Sequence, residues 1–137
     1  MFQENDGGRL ASGYSGSTGD CVTRAIAIVT GKSYVDVYTT INLLGKQEKV
    51  AKGRSSARSG VYRQTYDKLL KQLGGKWHPC MGIGTGCKVH LRASELPKGR
   101  IVVKVSKHLV AMIDGVIHDT HDCSRGGTRC VYGYWTF

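Results

Sequence analysis

The chain has 137 residues, with 20 Lys and Arg against 10 Asp and Glu, a net charge of +10. That length suffices for one hydrophobic core without metal or disulfide staples, so residues 1–137 read as a single domain. No run of about 18 apolar residues is present, and Met1–Gly8 lack the basic and apolar regions of a secretion signal, which argues against membrane-spanning and secreted classes. Five cysteines, an odd number, then read as reduced thiols in a cytoplasmic protein.

In chain order, residues 1–19 are rich in Gly, Ser, Asn and Asp and read as an irregular arm. Next comes a short helix, Cys21–Thr30, with Asp20 as its N-cap and Gly31 as the left-handed residue that ends it. Val22, Ala25, Ile26 and Val29 share one face and Ala27 and Ile28 fill much of the rest, the pattern of a buried helix. Cys21 therefore stands where the helix dipole lowers a thiol pKa, although the adjacent Asp20 carboxylate opposes a thiolate.

The spacing predicts a second helix over Ser33–Val50, capped by Ser33, with Gly45 interrupting its apolar stripe. Residues 51–60 are small, polar and basic and read as a mobile loop. A third helix is expected over Val61–Leu73, stopped by Gly74 and Gly75. Residues 82–86 are glycine-rich but lack the Lys-Ser/Thr ending of a phosphate-binding loop. From Gly99 the period changes to that of strands: Arg100–Ser106, His108–Ile113, Val116–Asp119 and Cys130–Trp135, with a type I′ turn at Asp114-Gly115. Helices first and antiparallel strands last define an α+β fold.

The hairpin places His108 and Asp119 at the same end of neighbouring strands. A carboxylate there fixes the imidazole tautomer, and the imidazole in turn takes the proton of a thiol packed opposite. Asp-Cys-x-x-Arg-Ala at a helix start, followed by His-Leu-Val-Ala-Met-Ile-Asp-Gly-Val-Ile-His-Asp-Thr, resembles the papain-like cysteine peptidase fold. The likeness is to its compact bacterial and phage members, of the type that includes the bacteriocin-processing (C39-like) peptidases. It covers residues 17–31 and 99–121. It implies a buried Cys helix packed on an antiparallel sheet, with Cys21 as nucleophile, His108 as base and Asp119 as its orienting group. It also implies a peptide or protein substrate and no cofactor. One departure stands out: the family places a Gln shortly before the Cys to complete the oxyanion hole. Here position 15 is Ser, and the nearest upstream amides are Asn5 and Gln3. The whole chain also resembles small proteins of tailed bacteriophages, which would place it in the host cytoplasm.

Cys80 and Cys87, and again Cys123 and Cys130, have six residues between them, with histidines nearby. Structural zinc ligands usually stand two to four residues apart, so these read as ordinary cysteines and no metal is expected. Residues 46–76 carry nine basic side chains against Glu48 and Asp67. Lys46, Lys49, Lys52, Arg54, Arg58 and Arg63 form the candidate patch for an acidic protein or a nucleic acid. A non-catalytic basic binding protein on the same fold is the alternative reading.

Overall fold

In the computed structural model of the chain, residues 2–14, 19–47, 55–58, 60–81, 84 and 86–137 are described. The fold is α+β, with three helices on a six-stranded mixed sheet. In chain order the elements are β1 (Phe2–Glu4), α1 (Cys21–Thr30), α2 (Tyr34–Gln47), α3 (Arg63–Gln72), β2 (Lys76–Pro79), β3 (Arg100–Val105), β4 (His108–Ile113), β5 (Val116–Asp119) and β6 (Gly133–Thr136). The strand order across the sheet is β1-β5-β4-β3-β6-β2. β1 runs parallel to β5, and the other pairs are antiparallel. Among the described residues no helix is long and apolar enough to cross a membrane.

Strand alternation divides the sheet into two apolar faces. Val102, Leu109, Ala111 and Trp135 face the helices and pack with Val22, Ile26, Val29, Ile41 and Leu70. Ile101, Val103, Val105, Val110, Met112 and Ile117 face the other way, against Leu91, Leu96, Cys123 and Val131. α1 lies in the middle of the first layer, and every residue from Val22 to Val29 is buried. That placement explains a helix that is apolar nearly all round.

The β4–β5 turn has Asp114 at φ 49° and Gly115 at φ 81°, the two left-handed residues that a type I′ hairpin needs. It fixes the register Ile113↔Val116, Met112↔Ile117 and Ala111↔His118. Carried to the other end of the strands, this register brings His108 and Asp119 together. β3 and β4 are joined by Ser106-Lys107, with Val105 opposite His108 and Lys107 held at φ 55°.

Several expectations change. The arm is not irregular throughout, since Phe2–Glu4 pair with Ile117–Asp119 and the Asn5 N–H donates to the Asp119 carbonyl at 2.8 Å. Asp20 does not cap α1 with its side chain. Its carboxylate is wholly buried and accepts instead from Tyr34 Oη at 2.7 Å, from Arg9 at 3.2 Å and from Arg24. α2 is capped by Ser33, whose Oγ accepts the Asp36 N–H at 3.1 Å, and it runs through Gly45 as the predicted helix does. Gly45 is buried because the chain at Ser55 crosses it closely: a Cβ there would sit 2.2 Å from the Ser55 carbonyl oxygen. Of the loop expected to be mobile, residues 55–58 are anchored. Ser55 Oγ and Thr65 Oγ1 lie 2.7 Å apart, the Ala57 N–H donates to Asn42 Oδ1, and Thr23 Oγ1 donates to the Ala57 carbonyl. Residues 51–54 and 59 of that loop lie outside the described residues. Strand β2, unforeseen in the sequence, pairs with β6 at the sheet edge.

The cysteines also differ from expectation. Cys87 and Cys130 form a disulfide, while Cys21, Cys80 and Cys123 are free. The 43-residue separation hid that pair from any reading based on local spacing. The His90–Cys130 bridge and the Leu91 N–H donating to the Arg129 carbonyl zip the two segments together and bring the sulfurs into range.

Candidate active site

Cys21 is the first residue of α1, where the N–H groups of the opening turn have no partner within the helix. Its side chain meets the strand end at His108. Cys21, His108 and Leu109 line one cavity, and the imidazole and the Leu109 N–H both act on the thiol to favour its ionised form. On the far side of the ring, His108 Nε2 lies 2.7 Å from Asp119 Oδ2. That contact leaves Nδ1 as the nitrogen available for proton exchange with the thiol. Asp119 is almost fully buried, and its other oxygen accepts the Thr120 N–H at 2.7 Å and Arg24 Nη2 at 3.3 Å. The structure thus brings Cys21 and the His108–Asp119 pair to one site.

The electrostatics follow from this arrangement. Burial opposes ionisation of Cys21, but the His108 hydrogen bond, the Leu109 N–H and the charges of His108 and Arg24 outweigh it and hold the thiol below its ordinary pKa. Burial also disfavours the imidazolium, yet contacts with Asp119, Cys123 and Cys21 raise His108 above the ordinary imidazole range. Burial pushes Asp119 up, while His108, the Thr120 N–H and Arg24 prevail and keep it ionised well below the usual carboxylate range. The Asp20 carboxylate beside Cys21, expected to oppose a thiolate, sits between Arg9 and Arg24. Its charge is met by two cations, which removes most of that objection.

Two residues join the site without having been singled out. Arg24 bridges Asp20 and Asp119, tying the start of α1 to the end of β5. The i,i+4 spacing of Asp20 and Arg24 was a signal for the first of these contacts, and nothing local signals the second. Cys123 lies beside His108, and no spacing in the sequence marks it. His108, Asp119 and Cys123 each offer a ligand atom, all within 4.8 Å of one another, the nearest approach to a metal-binding set among the described residues. A cation held there would displace the His108–Asp119 hydrogen bond and face the Arg24 guanidinium, so the geometry favours a proton-transfer site over a metal centre.

Cys21 and His108 open onto a cavity of about 420 Å³, lined also by Val61, Tyr62, Tyr66, Lys104 and Lys107. Neither upstream amide reaches it. Asn5 Nδ2 lies 3.3 Å from His118 Nδ1, and Gln3 Nε2 donates to the Glu4 carbonyl. The Cys21 N–H is the one oxyanion donor assigned, and position 15 lies outside the described residues. Within the basic patch, Lys46, Arg58 and Arg63 are exposed, whereas Lys49, Lys52 and Arg54 lie outside the described residues. Arg63 lines the cavity.

No protein-family model matches this chain, and neither curated proteins nor solved structures yielded a similar one.

Proposed function

We propose that the protein is a papain-like thiol hydrolase that cleaves a peptide or amide bond through an acyl-enzyme on Cys21. The observation that carries this reading is that Cys21, at the start of α1, shares one cavity with His108, whose imidazole is hydrogen-bonded to the buried Asp119. The Cys21 thiolate attacks the carbonyl carbon, and the Cys21 N–H donates to the oxyanion that forms. His108 gives its proton to the leaving amine as the C–N bond breaks, leaving a thioester. Water then attacks the thioester, His108 accepts a proton from it, and the carboxylic acid and the thiol are released. Asp119 keeps the imidazole oriented and stabilises its charged form throughout.

The test is the rate of Cys21 alkylation by iodoacetamide at pH 6, with the modified site assigned by mass spectrometry. An unperturbed thiol is well under one per cent thiolate at that pH, so Cys21 should react at least about tenfold faster than an ordinary cysteine. His108→Ala should abolish the advantage, and Cys21→Ser should abolish cleavage of a mixed peptide substrate. An ordinary rate at Cys21 would refute the reading.

A second reading, binding of nucleic acid or an acidic protein through residues 46–76, draws on α3. That helix exposes Arg63, Lys68 and Lys71 with only Asp67 opposing them. Salt-sensitive binding of an oligonucleotide that is indifferent to Cys21→Ser would favour it.

A further inference from the structure

The cavity at Cys21 has an uneven charge. Arg63, Lys104 and Lys107 line it together with His108, and among the described residues no carboxylate does. Of the two acids around the site, Asp119 is held behind the imidazole and is 3% exposed, and Asp20, next to Cys21 in the chain, is wholly buried against Arg9, Arg24 and Tyr34. Arg63 pairs with Asp67 at 3.2 Å, an exposed contact that leaves part of the guanidinium open to solvent. Lys104 is different: its Nζ donates to Tyr66 Oη at 2.9 Å and stands over the Tyr66 and Tyr132 rings. Those neutral partners position the ammonium and leave its charge uncompensated. Lys107 is exposed and occupies the left-handed region, φ 55°, one residue before His108. Among the described residues neither lysine has an ion-pair partner.

We infer that this cavity selects an acyl substrate bearing a carboxylate next to the scissile bond, an acidic peptide, over its neutral counterpart. The inference rests on the thiol-hydrolase reading and names the substrate class for it. Three cations around one nucleophile attract an anion and disfavour a cation. In a partly wet cavity each acts at several ångströms, where one unit charge changes binding about two- to fivefold. The aromatic rings of Tyr62 and Tyr66 supply the apolar wall against which the rest of the substrate packs. Salt at 1 M, with a screening length of about 3 Å, should remove most of the preference.

The experiment compares two alkylating reagents that differ only in charge, iodoacetate and iodoacetamide, at Cys21 of the intact chain. In both, the sulfur displaces iodide from a CH2 group, so the neutral reagent reports the thiolate and the ratio of rates reports the field at the cavity. Wild type should favour iodoacetate relative to a free thiol, and the ratio should fall in 1 M salt. Lys107→Asn, which removes the charge while keeping a residue that tolerates the left-handed conformation, should lower the ratio about two- to fivefold. Lys107→Glu should lower it further, and Arg63→Gln by a similar step to the first. As a second arm, competition by a short Glu-containing peptide should slow labelling by iodoacetamide more than its Gln counterpart does, and Lys107→Glu should erase the difference. Slow iodoacetamide labelling of wild type would sink the hydrolase reading and this inference together. Fast iodoacetamide labelling with a ratio unmoved by Lys107→Asn, Lys107→Glu and Arg63→Gln would overturn only the substrate preference.

Discussion

At the scale of single residues, the chemistry depends on which groups hold a charge once water has been removed. Asp119 ionises well below the usual carboxylate range and His108 protonates above the usual imidazole range, each supporting the other. Their contributions to stability therefore fade in opposite directions. Asp119 contributes fully above its unfolded pKa near 4, and that contribution is lost as pH falls through the depressed folded value. His108 contributes fully below its unfolded pKa near 6.5, and that contribution is lost as pH rises toward the elevated folded value. Denaturation measured across pH should show stability falling below about pH 4, a limb that Asp119→Ala should flatten, whereas above about pH 6.5 the loss at His108 is offset by Cys21, whose lowered pKa acts with the opposite sign.

The same substitution separates roles. Asp119→Asn keeps a hydrogen-bonding group against His108 but no charge, so Cys21 alkylation at neutral pH should fall less than with His108→Ala, and Asp119→Ala should fall further than Asn. Loss of melting temperature with unchanged thiol reactivity would make Asp119 a turn residue alone. Arg24 tests the network behind the site. Arg24→Met leaves the buried Asp20 carboxylate with one cation fewer, and removing one partner of a buried pair typically destabilises by about 3–5 kcal/mol. Urea denaturation measures it, and the accompanying double variant Arg24→Met, Asp20→Asn should recover part of the loss.

At the scale of elements, α1 is a buried rod that carries Cys21 to the sheet. Ile26 is fully buried within it, and Ile26→Ala should destabilise by about 2–5 kcal/mol in the same assay. α2 provides a case where sign is the test. Gly to Ala inside a helix ordinarily stabilises by up to about 1 kcal/mol. At Gly45 the added Cβ would strike the Ser55 carbonyl, so Gly45→Ala should instead destabilise by about 1–3 kcal/mol. A stabilised Gly45→Ala would mean that residues 55–58 do not pack on α2 as described. The β4–β5 hairpin acts at this scale too, because its turn sets the register and the register sets the His108–Asp119 contact.

At the scale of the whole molecule, two packed layers sit on opposite faces of one sheet, and the site lies where they meet. Cys21 belongs with the helical layer and Cys123 with the other, and both reach the His108 imidazole at the strand end. The Cys87–Cys130 bond closes a loop across the second layer. For a separation of 43 residues the chain-entropy relation gives about 4 kcal/mol, so reduction should lower the melting temperature by on the order of 10 °C. Cys87→Ser should show the lower value with or without reductant. Thiol reactivity of Cys21 should survive reduction, because its helix and His108 strand are held by the other layer.

The sequence by itself determined the elements whose signals are local. The α1 pattern with its terminal Gly31, the Ser33 cap, the strand run from Arg100 and the Asp114-Gly115 turn all depend on residues within a few positions of one another. The hairpin register follows from that turn, so the nearness of His108 and Asp119 was legible as well. Tertiary structure alone decided the rest, because those outcomes depend on partners far along the chain. Asp20 prefers Arg9, Tyr34 and Arg24 over its own helix start, since a buried carboxylate gains more from cations and a phenol than from one backbone N–H. Phe2–Glu4 have little apolar periodicity and form a strand because β5 offers an open edge. Gly45 looked like a gap in the apolar stripe of α2 and proved a point of close approach, which only the path of Ser55 could reveal. The junction of Cys21 with His108, 87 positions apart in the sequence, belongs to this second class: packing of α1 across β4 creates it, and no local preference of either residue requires it.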